Sequence, residues 1–167
     1  MHTQAEQWIE FVSDSLKLKD IRMAQVMDQG GRNVNGSISK YFPKSKWIAV
    51  DISDGPGVDV VADSSTYIHP GCDVVTCTEV FEHTPKADQI IRCAYDSLVL
   101  GGSYIVTTAG LNRPAHGQHG APRPAPGEYY MNINPYWLMA KFEEAGFYRI
   151  IMDVRDDPSD VRVWATK

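Results

Sequence analysis

Gly30, Gly31 and Gly36 sit between an apolar run at 24–28 and a second apolar run, 47–51, that ends in the carboxylate of Asp51. That spacing suits a nucleoside. Glycines let a backbone pass close to a ligand, and a strand-end carboxylate about 20 residues further on can accept both hydroxyl protons of a ribose. Asp63 and Ser64 close a third apolar run, 58–62, where a carboxylate either accepts from the exocyclic amine of an adenine or caps a helix. Two polyphosphate readings fail. The stretch from Gly31 to Ser37 approximates G-x-x-x-x-G-K-[ST] but lacks the lysine that reaches the phosphates. The glycines also miss the G-x-G-x-x-G spacing that admits the pyrophosphate of a nicotinamide cofactor. A nucleoside without a polyphosphate remains.

The elements that position these residues alternate. Ala5, Trp8, Ile9, Val12 and Leu16 share one helical face in 1–18, with Thr3 and Glu6 at capping-box spacing, which predicts an N-terminal docking helix. A strand at 24–28 leads through the glycine turn into a short helix carrying Ile38, Tyr41 and Phe42, stopped by Pro43. Strands follow at 46–51, 58–62 and 73–77, the last nearly continuous in apolar character, as a strand covered on both faces should be. Thr84 and Pro85 predict a helix start, Gly101 and Gly102 its end, and 104–108 a fifth strand. Asn134, Pro135 and Gly146 bracket another helix before strands at 148–154 and 161–165. The pattern predicts a doubly wound α/β domain over 1–167, with a mostly parallel sheet and one antiparallel hairpin at its edge. Residues 109–133 form a long connection, rich in proline and glycine, of the kind that carries function.

Composition narrows the partners. With 43% hydrophobic and 22% charged residues the chain reads as an ordinary soluble domain, and a net charge of -5 argues against broad attraction to nucleic acid. No secretion signal or membrane-length apolar run is present, so a cytoplasmic protein with no membrane contact is expected. Cys72, Cys77 and Cys93 are odd in number, lack C-x-x-C spacing and read as reduced core thiols.

Taken together, VMDQGGRNVNGS (26–37), WIAVDIS (47–53), VVADS (60–64) and CDVVTCTEVFEH (72–83) resemble the class I S-adenosylmethionine-dependent methyltransferases, over most of the chain from residue 25 onward. Arg32 departs from that pattern, standing where a second glycine is usual. The resemblance implies a Rossmann-like, seven-stranded sheet with an antiparallel last strand. It also implies S-adenosyl-L-methionine as cofactor and S-adenosyl-L-homocysteine as product. Gly30, Gly31, Asn33, Gly36 and the adjoining backbone would pass beside the methionine part, and Asp28 would orient its amino group. Asp51 would hold the ribose, Ile52 would lie against the adenine, and Asp63 with Ser64 would address the adenine edge. Cys77, Thr78 and Glu79 would line the far wall.

Such a donor is already activated, so the protein must mainly align an acceptor, exclude water and, where needed, remove a proton. His83, after the fourth strand, and His116 and His119, in the long connection, are the candidate bases. His116, Tyr129 and Tyr130 are the candidate substrate contacts. Glu82, His83, His116 and His119 lack H-E-x-x-H or cysteine-pair spacing, so no metal is expected. Thr78, Glu79, Val80 and Phe81 stand where amino-methylating DNA enzymes carry an N/D-P-P-Y-like motif, and no Pro-Cys pair marks a cytosine-C5 enzyme. A small molecule or sugar is favoured over nucleic acid as acceptor. Two other readings stay open: a noncatalytic domain that binds donor or product, and a nucleotide-linked oxidoreductase.

Overall fold

A computed structural model describes residues 3–17, 24–118, 121–157 and 159–167. In chain order, helix α1 spans Thr3–Ser15, strand β1 Gln25–Gln29, β2 Lys46–Asp51, β3 Val60–Val61 and β4 Cys72–Thr78. Helix α2 then covers Ala87–Ser97, β5 Leu98–Ala109, α3 Pro135–Ala145, β6 Tyr148–Arg155 and β7 Asp160–Thr166. The strands form one sheet in the order β3-β2-β1-β4-β5-β7-β6, parallel except for β7, which runs antiparallel to both neighbours.

Alternation along each strand decides which helix it meets. Met27, Val75, Tyr104, Val106 and Val163 point to the face covered by α2 and α3. Their neighbours Val26, Val74 and Ile105 point to the other face, under Trp8, Ile9 and Val12 of α1 and Ile38 and Tyr41. Both faces are therefore closed, and each large apolar side chain so buried stabilises the fold by about 1.5–3 kcal/mol. The three cysteines are buried free thiols.

Several boundaries differ from the pattern-based expectation, each for a local reason. The turn after β1 consumes residues through Gly36 and Pro43 closes the segment, so only a 3-10 turn, Ile38–Tyr41, forms where a helix was expected. Strand β3 keeps two residues because Asp59 Oδ2 takes the Ala49 N–H at 2.9 Å, replacing a ladder bond with a side chain. Thr84 does not cap α2. Its Oγ1 accepts from Lys86 N at 3.2 Å, and the helix begins at Ala87. It ends at Ser97, because Leu98 turns extended and pairs with Cys72, so β5 starts before the two glycines rather than after them. Asn134, Pro135 and Gly146 behave as predicted. The Asn134 side chain accepts from Tyr136 N and Trp137 N, and Gly146 takes the left-handed conformation that closes α3. Glu6 Oε1 accepts from Lys40 Nζ at 3.1 Å, tying α1 to the 3-10 turn.

Candidate active site

The strand order reverses between β1 and β4, and a cavity of about 510 Å³ opens there at the carboxyl ends of the parallel strands. A volume of a few hundred Å³ suits a small-molecule ligand. Asp28, Gly30, Gly31, Gly36, Asp51, Ile52, Asp63, Ser64, Thr78, Glu79, His83 and His116 all line it.

The glycine turn is fitted to its neighbours. Gly30 has φ +74°, and a Cβ there would collide with Val80; a Cβ on Gly31 would lie 2.8 Å from that of Ala49 and 3.1 Å from the Asp28 carbonyl. A side chain at Gly31 would push the turn off β2, and one at Gly30 would strike Val80 in the segment after β4. Both amides donate to the Val50 carbonyl, at 2.8 and 3.0 Å, so they are spent on the fold. No helix begins at this turn, so these two amides do not form a helix-start anion site. Asn33 does not line the cavity; its Oδ1 accepts from Gly36 N at 2.9 Å and closes the loop. Arg32 lies along the loop after β2, its guanidinium against Gly55, at the cavity rim.

The carboxylates differ sharply. Asp51 accepts from Ser53 N at 2.9 Å on one oxygen and from Arg32 N at 3.3 Å on the other, which fixes its plane and leaves lone pairs available on both oxygens. Ile52, beside it, is 70% exposed on the cavity wall. Asp28 is buried and accepts from Thr76 Oγ1 at 2.7 Å; desolvation outweighs that bond and, with the charge of Asp51, lifts its pKa to about 7. Asp63 goes the other way. The Lys86 ammonium at 2.8 Å and the Ser65 N–H hold it down at about 2. Cys77 is a correction to the far-wall assignment: its side chain is fully buried in the core beneath the sheet, where burial raises its pKa, and Thr78 and Glu79 reach the cavity instead.

At the other end of the cavity the chain turns through Phe81–His83, a 3-10 turn after β4. Glu79 just before it adopts φ +56°, held by Thr107 Oγ1 on its carboxylate at 2.8 Å and by its own N–H on the Thr107 carbonyl. Such strain in a non-glycine residue is tolerated where the surroundings over-determine it. Glu82 is fully buried and accepts from Thr108 Oγ1 at 2.8 Å and Ala109 N at 3.3 Å; burial and the neighbouring Glu79 charge push its pKa up. The connection between β5 and α3 folds over this point. Its roots are pinned by Gly110 N on the Ser159 carbonyl, Met131 N on the Glu82 carbonyl and Asn132 Nδ2 on the Leu111 carbonyl, all at 2.7–2.8 Å. Arg113 pairs with the buried Asp160, which also takes Arg162 at 3.1 Å, and lies 4.0 Å from Glu79.

This connection delivers His116 to His83. Their rings meet edge-on with centroids 5.0 Å apart, and Tyr130 packs on both, at 5.5 and 5.0 Å. Tyr130 backs the cluster without lining the cavity, its pKa raised to about 12 by burial and the Glu82 charge, while the Tyr129 hydroxyl turns to Met131. His119 lies outside the described residues. Sequence reading missed Arg113, Val80 and Gln118, all of which line the cavity; nothing local to those residues marks them.

Comparison with solved structures decides the architecture. A phosphoethanolamine N-methyltransferase 2 from Haemonchus contortus, in complex with S-adenosyl-L-methionine, superimposes with a TM-score of 0.67 at 12% identity, over 96% of this chain and 52% of its own. The chain has the class I methyltransferase fold. A 1,6-didemethyltoxoflavin-N1-methyltransferase from Burkholderia thailandensis, bound to that compound and S-adenosylhomocysteine, shares this methyltransferase fold with a TM-score of 0.68 and 16% identity, over 98% of this chain and 78% of its own. In sequence, the chain is 30% identical over 98 residues to a ubiquinone biosynthesis O-methyltransferase of Pseudomonas aeruginosa, covering 56% of this chain and 42% of that protein. The chain thus spans about two-fifths of the length of that curated relative and about half of the Haemonchus protein. No protein-family model matches it. Among the described residues, no helix is long and apolar enough to cross a membrane.

Proposed function

We propose that this chain transfers a methyl group from S-adenosylmethionine to an oxygen of a small-molecule acceptor. The observation that carries this reading is the placement of Asp28 and Asp51 on adjacent strand ends beneath a glycine turn that no side chain can enter. These residues fit the donor. Asp51 has oriented lone pairs for two ribose hydroxyls, the exposed Ile52 offers an apolar cover for an adenine, and Ser64 lies at its edge. Asp28 reaches into the cavity for the amino group, and Asp63 is shared with Lys86.

When bound, the donor supplies a methyl group on a sulfonium; its carbon–sulfur bond breaks toward sulfur as the oxygen–carbon bond forms, leaving S-adenosylhomocysteine. The chain's own residues align, dry and deprotonate. The connection over the strand ends excludes water, which keeps the acceptor oxygen poorly solvated and reactive. His116 Nδ1 lies 3.3 Å from the Pro114 carbonyl, which places the proton on Nδ1 and leaves the Nε2 lone pair to take the acceptor's proton. His83, against it, is the second candidate.

An oxygen acceptor is supported by the sequence likeness to an O-methyltransferase. A small molecule is supported by the cavity volume and the net charge of -5. The buried free thiols support a reducing compartment such as the cytoplasm. Calorimetry with S-adenosylhomocysteine and with NAD, followed by a screen of hydroxylated acceptors with labelled donor, tests the reading. Binding of the first ligand alone, with label transferred, is expected. Failure to bind S-adenosylhomocysteine overturns it, and binding without transfer to any acceptor turns the chain into a noncatalytic binding domain.

A further inference from the structure

Three side chains able to ligate a metal converge at the acceptor end of the cavity, His83 and His116 lining it and Glu82 buried behind them. One donor atom each from Glu82, His83 and His116 lies within 4.8 Å of the other two. Two of these residues come from the 3-10 turn after β4 and the third from the connection after β5, so their meeting is a product of the fold. Spacing along the chain argued against a metal; proximity in space argues for one.

The donors are also backed from behind. The Glu82 carboxylate is oriented by Thr108 Oγ1 and Ala109 N, one on each oxygen, which leaves a lone pair on each. His116 Nδ1 lies 3.3 Å from the Pro114 carbonyl, a partner that can only accept and so favours the tautomer with its lone pair on Nε2. Outer hydrogen bonds of this kind orient metal ligands and raise their basicity. The rings of His83 and His116 are held edge-on against Tyr130, which restricts their rotation.

We propose that Glu82, His83 and His116 bind one divalent transition-metal ion of the zinc type, and that this ion takes the acceptor oxygen as a further ligand. Two imidazoles and one carboxylate suit Zn²⁺ or Co²⁺; Mg²⁺ and Ca²⁺ favour all-oxygen shells. Donors arranged tetrahedrally at about 2.1 Å from one such ion stand about 3.4 Å apart. A trio spread over at most 4.8 Å therefore needs to contract by at most about 1.4 Å, within the reach of side-chain rotation. Three protein ligands leave a fourth position open, as in sites that bind water or substrate. A hydroxyl bound there loses its proton to water near neutral pH. With the metal in place both imidazoles are ligands, and the acceptor's proton goes to solvent. The metal site stands on geometry alone; only the identity of its further ligand rests on the methyltransferase reading.

The test is Co²⁺ and Zn²⁺ titration of the full chain after dialysis against a chelator, by visible absorption and calorimetry, with S-adenosylhomocysteine binding measured in parallel. One equivalent of Co²⁺ should bind and develop the intense visible bands of a low-coordinate site, and Zn²⁺ should displace it. His116→Ala should weaken binding more than about a hundredfold. Thr108→Val, which frees the Glu82 carboxylate, should cost about tenfold to a hundredfold. His69→Ala, at a histidine paired with Tyr67 away from the cavity, should change nothing. A chain that binds S-adenosylhomocysteine but neither metal overturns the metal site and leaves the methyltransferase reading intact. A chain that binds Co²⁺ through His116 but no S-adenosylhomocysteine does the reverse.

Discussion

The two ends of the cavity are built by different means. At the donor end, Asp28 and Asp51 close adjacent parallel strands, and the turn between those strands is pinned to the Val50 carbonyl by two amides. Its positions follow from sheet register, which cannot slip without turning every core side chain outward. At the acceptor end, Glu82, His83, His116 and Tyr130 meet because a long connection crosses the strand ends and is tied down at its roots. Buried ion pairs fix those roots: Arg113 to Asp160, and Asp160 to Arg162. The contrast has a chemical logic. A donor common to many reactions can be held by rigid strand ends, while the acceptor is chosen by a segment free to vary in sequence and shape.

The sharpest way to break this division is His116→Ala. It should lower turnover by about 10²–10⁴-fold, the range for a positioned acid–base group, with S-adenosylhomocysteine affinity unchanged by calorimetry. A matching loss of affinity would show that the two ends are one unit. Asp51→Ala should do the opposite and weaken S-adenosylhomocysteine binding by about 1.5–3 kcal/mol, the worth of hydrogen bonds to a charged group. Unchanged affinity in a folded variant would remove Asp51 from the donor site.

Asp28 should make the proposed donor end sensitive to pH. Its carboxyl titrates near 7 in the folded chain against an ordinary 3.8, so the folded chain binds the extra proton between those values. Stability from this group is therefore greatest below about pH 4, declines as pH rises to about 7, and is level above. Donor binding should run the other way, because a ligand ammonium prefers the ionised carboxylate. S-adenosylhomocysteine affinity should climb by up to about tenfold per pH unit below pH 7 and then level off, and Asp28→Asn should flatten the slope. A pH-independent affinity in the parent chain would place the amino group elsewhere. The smallest effect expected is that of Lys86→Ala. Its pair with Asp63 is half-exposed, so the melting midpoint should move by the equivalent of less than about 1 kcal/mol.

Legibility in the sequence followed the same division. The strands carrying Asp28, Asp51 and Cys77 were readable because unbroken apolar runs of that length fit strands covered on both faces. Cys77 itself was misread as a wall residue: alternation along β4 sends it into the core and leaves Thr78 at the cavity. The helix expected before Pro43 shrank to a single 3-10 turn because too few residues remained after the glycines. Arg113 was invisible, since its partner Asp160 lies on β7, at the far end of the chain.

What the sequence determined by itself is local: periodicity set the strands and most helices, Asn134, Pro135 and Gly146 set the limits of α3, and the glycines with Asp51 marked one end of the cavity. Arg32, the departure from the usual glycine pattern, needed the structure to show that it lies along the rim against Gly55. The Glu82, His83 and His116 cluster needed it still more. No period links a turn after one strand to the middle of a loop after the next, and only the path of the chain over the strand ends brings those atoms within reach of a single proton or a single ion.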